Sequence, residues 1–255
     1  MSRAAAGLRA RGHQGLALNA GLVLAWLATL LICVSLDCRH LPWWALSAAV
    51  LVRTELQTGL FIVAHDAMHA VLWPSGGPHN DRLGAVVLLL YAALPYQRCK
   101  TNHHLHHQAT TSAVDPDFPS GLTVGVLGWY GQFMAGYLTP AQMVGLVAGW
   151  ALLGVWFTSF TPTAWLNVLL FATLPLLLSS LQLFVVGTYL PHRNQREPLG
   201  RLHPDSLDLP AWLSLVACFH FGYHREHHDH PELPWFALPG ARSAARTLAL
   251  PGPSR

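Results

Sequence analysis

Sixteen histidines stand in this chain of 255 residues, and nine of them occupy positions from which imidazoles can converge. His65-Asp66-Ala67-Met68-His69 puts two rings at i and i+4 on one helix face. In His103-His104-Leu105-His106-His107, the rings of His103, His106 and His107 fall within an arc of roughly 100° if the segment is helical. His224-Arg225-Glu226-His227-His228 repeats that H-x-x-H-H pattern near the C-terminus. The ninth is His192, in Thr188-Tyr189-Leu190-Pro191-His192. A lone histidine near a helix end is more often a cap or an interface anchor, and a single H-x-x-x-H has many chance matches. Three sets in one chain point instead to metal ligation, because clustered imidazoles repel when protonated and are stabilised when neutral and bound to a cation.

Imidazole suits zinc, copper, iron and nickel alike. Zinc takes three or four protein ligands, so eight or nine histidines overshoot one zinc and indicate two metals. No H-E-x-x-H helix is present. Haem sites with two axial histidines would place single rings deep in facing spans. Two irons held by histidine could activate dioxygen, as Glu-rich paired irons do in soluble helical bundles.

The elements carrying these residues are apolar. With 52% hydrophobic and 11% charged residues and a mean hydropathy of +0.34, the composition is that of a membrane protein. It excludes a disordered chain and, with so few basic residues, a nucleic-acid module. Four cysteines without C-x-x-C spacing give neither a thiolate metal site nor a disulfide framework.

A hydrocarbon core about 30 Å thick needs roughly 20 apolar helical residues. Residues 16–36, 43–64, 143–160 and 164–190 meet that length, the last with a kink expected at Pro175. The run 83–95 is too short to span; it reads as a re-entrant helix, with a buried core helix as the alternative. Residues 122–138 read as an interfacial helix. The fold class is therefore an all-α integral membrane protein with four spans and accessory helices. Residues 1–238 form its single domain, and the Pro-, Ala- and Arg-rich segment 239–255 reads as a disordered tail.

With the N-terminus cytoplasmic, thirteen of the fifteen Lys and Arg lie inside, leaving Arg39 outside and Arg53 within the second span. All three histidine sets and His192 then share the cytoplasmic side. The first span is too long for a signal peptide and has no small-residue cleavage site. Arg53 and Glu55 sit inside the second span, two residues apart and so on different faces, where pairing is not to be assumed; they could line a polar path, or the helix could sit differently in the bilayer.

The pattern resembles the membrane fatty-acid desaturase and hydroxylase superfamily. The fuller strings His65 to His69, His103 to His107 with Asp115-Pro116-Asp117-Phe118, Gly187 to Arg193, and Phe219 to His228 are similar to the bacterial and cyanobacterial β-carotene ketolases. The likeness extends over residues 16–238. Ala70 departs from the glycine that often follows the first set in that family. The resemblance implies two non-haem irons and dioxygen, with His65, His69, His103, His106, His107, His192, His224, His227 and His228 as ligands. It also implies oxidation of C4 of a β-ionone ring to a ketone by two hydroxylations and loss of water, giving echinenone and then canthaxanthin. C4–H is allylic with no polar handle, which fits metal-activated dioxygen better than acid–base catalysis. A lipid-soluble carotenoid would enter from membrane lipid of a bacterial cytoplasmic or thylakoid-type membrane. With no dinucleotide or iron–sulfur motif in the chain, a soluble donor such as ferredoxin with its reductase would supply electrons.

By the same resemblance Asp117 is the functional carboxylate, and Thr188, one turn before His192, orients a ligand or water; the alternative for Thr188 is an ordinary helix threonine bonding its own backbone. Asp66, Asp115, Asp117, Glu226 and Asp229 accompany the sets and could accept the outer N–H of ligand imidazoles. Asp66, Asp115 and Glu226 are expected behind the ligands; the alternative for each carboxylate is solvated loop charge. His104, off the arc, and His220, at i, i+4 with His224, are expected behind the ligands. His13, His40, His79, His203 and His230 read as surface residues. Competing functions are a carotenoid hydroxylase, a fatty-acyl desaturase or hydroxylase, and a membrane metal transporter; transport would favour ligands along the spans near the midplane. The oligomeric state is left open.

Overall fold

Four helices are apolar and long enough to cross a bilayer: Gln14–Ser35, Trp43–Met68, Pro140–Phe157 and Ala164–His192. They fall within a few residues of the four expected runs. The computed structural model describes residues 3–73, 76–120, 124–194 and 204–249, with 3–13 and 248–249 described by backbone alone. The ten helices used below, in chain order, are α1 (Arg3–Ser35), α2 (Trp43–Met68), α3 (His79–Ala92), α4 (Tyr96–Ala109), α5 (Val126–Tyr137), α6 (Pro140–Phe157), α7 (Ala164–His192), α8 (Ala211–Cys218), α9 (His224–Asp229) and α10 (Leu238–Ala249). No strand occurs among the described residues.

α3, at 14 residues, is about 21 Å long and too short to cross. It packs on α2, reverses through a turn with Ala93 in the left-handed region (φ 53°) and Pro95, and continues into α4. The carbonyls at its C-terminal end have no helical donor and lie among apolar spans, where each must find a partner. Gln57 of α2 donates to the Tyr91 carbonyl at 2.5 Å, and Gln142 of α6 donates to the Ala92 carbonyl at 2.6 Å. These two glutamines make the reversal tenable. They also fix α4, which carries the second histidine set, against the bundle.

α7 departs from regular helix at two π-helical stretches, Leu169–Thr173 and Phe184–Tyr189. The first precedes Pro175, which lacks the N–H that would bond the Phe171 carbonyl. Arg53 replaces that donor, its Nε bonding the Phe171 carbonyl at 3.0 Å while Nη1 bonds the Trp26 carbonyl at 2.6 Å. Arg53 thus ties α1, α2 and α7 together inside the membrane. Glu55 accepts from Gln182 at 3.0 Å instead of pairing with Arg53.

One expectation is overturned in this part of the chain. The segment after Leu238 is not a disordered tail over its described length: it forms α10, with Arg242 bonded to Glu226 at 2.9 Å and Arg246 bonded to Asp208. Ala, Leu and Arg are strong helix formers, and both arginines find carboxylates. Residues 250–255 lie outside the described residues.

Two substitutions test this packing. A Cβ on Gly84 would lie 2.3 Å from the Tyr96 ring and 2.8 Å from Ala67 Cβ. Gly84→Val is therefore expected to push α4 from α2, costing about 1–3 kcal/mol, with a lowered unfolding temperature in detergent and reduced metal content. Ala70 closes α2 in the left-handed region (φ 59°), with its own N–H on the Ala67 carbonyl at 3.1 Å and that of Val71 on the Asp66 carbonyl at 3.0 Å. This is the terminal motif that favours glycine, so Ala70→Gly should raise the unfolding temperature, by about 1 kcal/mol in stability.

Candidate metal centre

The nine expected ligands, and no other described histidine, gather into two groups. His65, His69, His103, His107 and His227 form one; His106, His192, His224 and His228 form the other, and within each group one ligand nitrogen per ring lies within 4.8 Å of every other. The groups adjoin, with the His107 and His228 rings stacked at 4.1 Å between centroids. α2 and α7 deliver His65 and His192 at their C-terminal ends, α4 delivers three rings and α9 another three.

Ring nitrogens meet at 2.7 Å (His69 Nε2 and His103 Nε2), 3.0 Å (His107 Nε2 and His227 Nε2) and 3.2 Å (His228 Nε2 with both His106 Nε2 and His224 Nε2). Nitrogens bound at about 2.1 Å to one metal lie roughly 3–4 Å apart. The 3.2 Å contacts of His228 with His106 and His224 match that range, and the 2.7 Å His69–His103 approach falls just short of it, so a metal would spread these two rings slightly. The buried Nε2 atoms of His65 and His192 have no hydrogen-bond partner. A buried imidazole nitrogen without a partner is costly unless its lone pair is bound.

The four-ring group is braced from outside. His106 Nδ1 donates to Asp115 at 2.9 Å, and His192 Nδ1 donates to the Thr188 carbonyl at 2.6 Å. Thr110 gives its hydroxyl proton to the His106 carbonyl at 2.7 Å, leaving its oxygen to accept from His228 Nδ1 at 3.4 Å. Each brace fixes the tautomer that leaves Nε2 as the donor to a metal. Asp115 is itself held by the Thr111 and Asp117 amides at 2.7 and 2.9 Å.

Burial, and then the neighbouring cationic groups, hold the pKa values of His103, His224, His227 and His228 well below the ordinary imidazole range. The same causes lower His69 to about 4 and His107 to about 2. Neutral rings with free lone pairs are what a cation requires. His106 differs: burial pulls it down, but the Asp115 hydrogen bond and the charge of Asp117 carry it above its ordinary value.

A narrow cavity opens under the rings of His65, His103, His106 and His224, walled by Phe61, Met68, Leu183 and Phe221, with Asp117 and Thr188 in its lining. Asp117 accepts from the Tyr137 hydroxyl at 2.6 Å, and burial raises its pKa. Thr188 acts on His192 through its carbonyl, not its hydroxyl.

Three expectations fail on geometry. His220 does not share a helical stripe with His224: residues between α8 and α9 leave the helix, with Phe219 at φ 46° and His220 at φ 66°. Its ring stacks on Tyr223 at 5.7 Å instead. Asp66 accepts no ligand N–H; it takes the Trp235 amide at 3.4 Å. Glu226 bonds Ser206 and Arg242, joining α9 to α10. His104 lies outside both groups, its Nε2 on the Met68 carbonyl at 3.0 Å. The bracing role of Thr110 was readable in the sequence, four residues after His106. That of Tyr137, twenty residues from Asp117, carried no such signal.

Residues 41–253 match the sequence model of the family described as Fatty acid desaturase. The chain is 37% identical over 241 residues to a beta-carotene ketolase of Paracoccus sp. (strain N81106 / MBIC 01143), covering 91% of this chain and 93% of that protein. A second beta-carotene ketolase, of Paracoccus sp. (strain PC1), is 36% identical over 89% of this chain and 91% of its own length. A zeaxanthin 4-ketolase of Chlamydomonas reinhardtii is 36% identical over 92% of this chain and 55% of its own.

The one-sided bracing yields a prediction. Asp115→Asn should loosen the four-ring group alone, weakening one metal by about 10–100-fold in a chelator competition, whereas His104→Gln should retain both metals. Equal loss from both positions, or none, would contradict this assignment.

Proposed function

This chain belongs to the fatty acid desaturase family, and we propose that it is a carotenoid 4-ketolase that oxidises the C4 methylene of β-ionone rings to a ketone. The observation that carries the reading is the placement of nine imidazoles in two adjoining groups at the ends of the spans, four of them lining an apolar cavity. Kinship with ketolases over about nine-tenths of the chain supports the choice of substrate. It is an oxidoreductase and an integral membrane protein.

His65, His69, His103, His107 and His227 would hold one iron, and His106, His192, His224 and His228 the other. Iron bound there would supply the oxidising power, with dioxygen as cosubstrate, to remove hydrogen from an allylic C–H bond. The protein's own part is positional. Phe61, Met68, Leu183 and Phe221 bind a hydrocarbon ring by apolar contact and exclude water. The Thr188 carbonyl and Asp115 hold the ligand rings in one tautomer. Asp117, oriented by Tyr137, is placed to hold or pass a proton at its carboxyl oxygen when the doubly hydroxylated carbon loses water.

The excess of Lys and Arg on the histidine side supports a cytoplasmic centre, reached by a soluble electron donor such as ferredoxin with its reductase while the carotenoid arrives through the membrane. The functional unit takes in α10, because Arg242 reaches Glu226 beside the third set. Ligand groups at one end of the spans, not along them, disfavour metal transport.

Expression in iron-replete cells that make β-carotene is expected to yield a 4-ketocarotenoid, detected by pigment extraction. His192→Ala should lower iron content and abolish turnover. Well-expressed protein that leaves the pigments unchanged would overturn the ketolase reading, and near-normal activity of the variant would remove His192 from the ligand set.

A further inference from the structure

The cavity under the histidine rings has an uneven polar lining. Besides the four ligand rings, only Asp117, Tyr137, Thr188 and the Cys99 thiol interrupt its apolar wall. Asp117 comes from the segment after α4, and Tyr137 from the last turn of α5. The Tyr137 hydroxyl gives its proton to Asp117 Oδ1 at 2.6 Å. The second carboxyl oxygen takes no hydrogen bond from the described residues, and part of the Asp117 surface stays open. The backbone beneath is fixed independently: the Asp117 amide donates to Asp115 at 2.9 Å, and its carbonyl accepts from the Trp129 indole at 2.8 Å.

A carboxylate only accepts hydrogen bonds, and a phenol whose proton is already given away can only accept as well. Burial raises the pKa of Asp117, but His106 and the Tyr137 hydrogen bond pull it back toward the carboxylate form. The pair thus makes an acceptor-only corner in the cavity. The Thr188 hydroxyl both donates and accepts, and a thiol does each weakly, so neither separates one oxygen function from another. Oxidation of a ring methylene to a ketone passes through an alcohol, and the corner treats the three states differently. The methylene leaves the carboxylate bare, and the ketone sets lone pairs against it. The alcohol alone donates, in a charge-assisted hydrogen bond.

We propose that Asp117 and Tyr137 form a specificity-determining pair that retains the C4 alcohol, the half-oxidised intermediate, for the second oxidation and lets the finished ketone leave. The inference rests on the ketolase reading for its substrate. It goes beyond the proton-holding role of Asp117, because it concerns which oxygen function the cavity keeps. Apolar walls alone hold an alcohol no better than a hydrocarbon, so a cavity without this corner would release the alcohol after one oxidation.

Binding is measured on iron-loaded protein without reductant, so that no turnover occurs, by quenching of tryptophan fluorescence. The probes are β-carotene and its derivatives bearing an alcohol, or a ketone, at C4 of both rings, so that either end presents the same group. The di-alcohol should bind about tenfold tighter than the hydrocarbon or the diketone. In Asp117→Asn the Tyr137 hydroxyl still bonds the side-chain oxygen, which turns the amide Nδ2, a donor, toward the cavity; the diketone should then bind at least as tightly as the di-alcohol. Tyr137→Phe leaves the carboxylate unanchored and should cut the alcohol preference to about threefold or less. Both variants keep the backbone bonds of Asp117 and should retain iron. With reductant, Tyr137→Phe should release C4 alcohol in place of part of the ketone. Equal affinities for the three probes in the unaltered protein, or preferences untouched by both substitutions, would overturn the proposal. Alcohol-selective binding that both substitutions abolish, in protein that forms no ketone, would support the pair and count against the ketolase reading alone.

Discussion

A buried imidazole that can be neither protonated nor hydrogen-bonded is stable only if its lone pair binds something else. Nine rings share one end of this bundle, the Nε2 atoms of His65 and His192 being buried in this way, and the rest of the structure follows from the need to aim them at two positions. Their mutual repulsion when charged, added to burial, keeps the proton off. Asp115, Thr110 and the Thr188 carbonyl then decide which nitrogen of His106, His228 and His192 faces inward. The five-ring group has no comparable outer hydrogen bonds among the described residues, so the two positions differ in rigidity although both are built from imidazole.

Holding rings from four separated helices demands polar backbone and charge inside an apolar bundle, and each instance is offset locally. α3 reverses inside the bundle because Gln57 and Gln142 bond its last carbonyls. α7 accommodates Pro175 because Arg53 reaches the Phe171 carbonyl. These groups are expensive to bury alone. Paired with backbone acceptors, they fix the approach of α2, α4 and α7, and so the placement of the first and second histidine sets and His192. The hydrophobic walls that result also provide a path on which a hydrocarbon can lie beneath the metal positions.

Much of this was legible in the sequence because it is local. Apolar run lengths locate the four spans, and the i, i+3, i+4 spacing picks out eight of the nine imidazoles that gather, His192 being placed by its position at the end of the fourth span. What depends on contacts between distant segments was not legible. Asp66 and Glu226 sit beside ligands in sequence, yet their carboxylates turn toward Trp235, Ser206 and Arg242. His220 has helical spacing from His224, but two left-handed residues interrupt the helix. Arg53 looked like an unexplained charge until Pro175, 122 positions away, left the Phe171 carbonyl without its usual donor.

The account stands or falls on two adjoining metal positions built from imidazole alone. X-ray absorption at the iron edge of the purified, iron-loaded protein measures this directly. The account predicts a first shell of nitrogen and light-atom ligands with four to five imidazoles per iron and a second iron nearby. A shell dominated by carboxylate oxygen or sulfur, or a single isolated iron per chain, would contradict it.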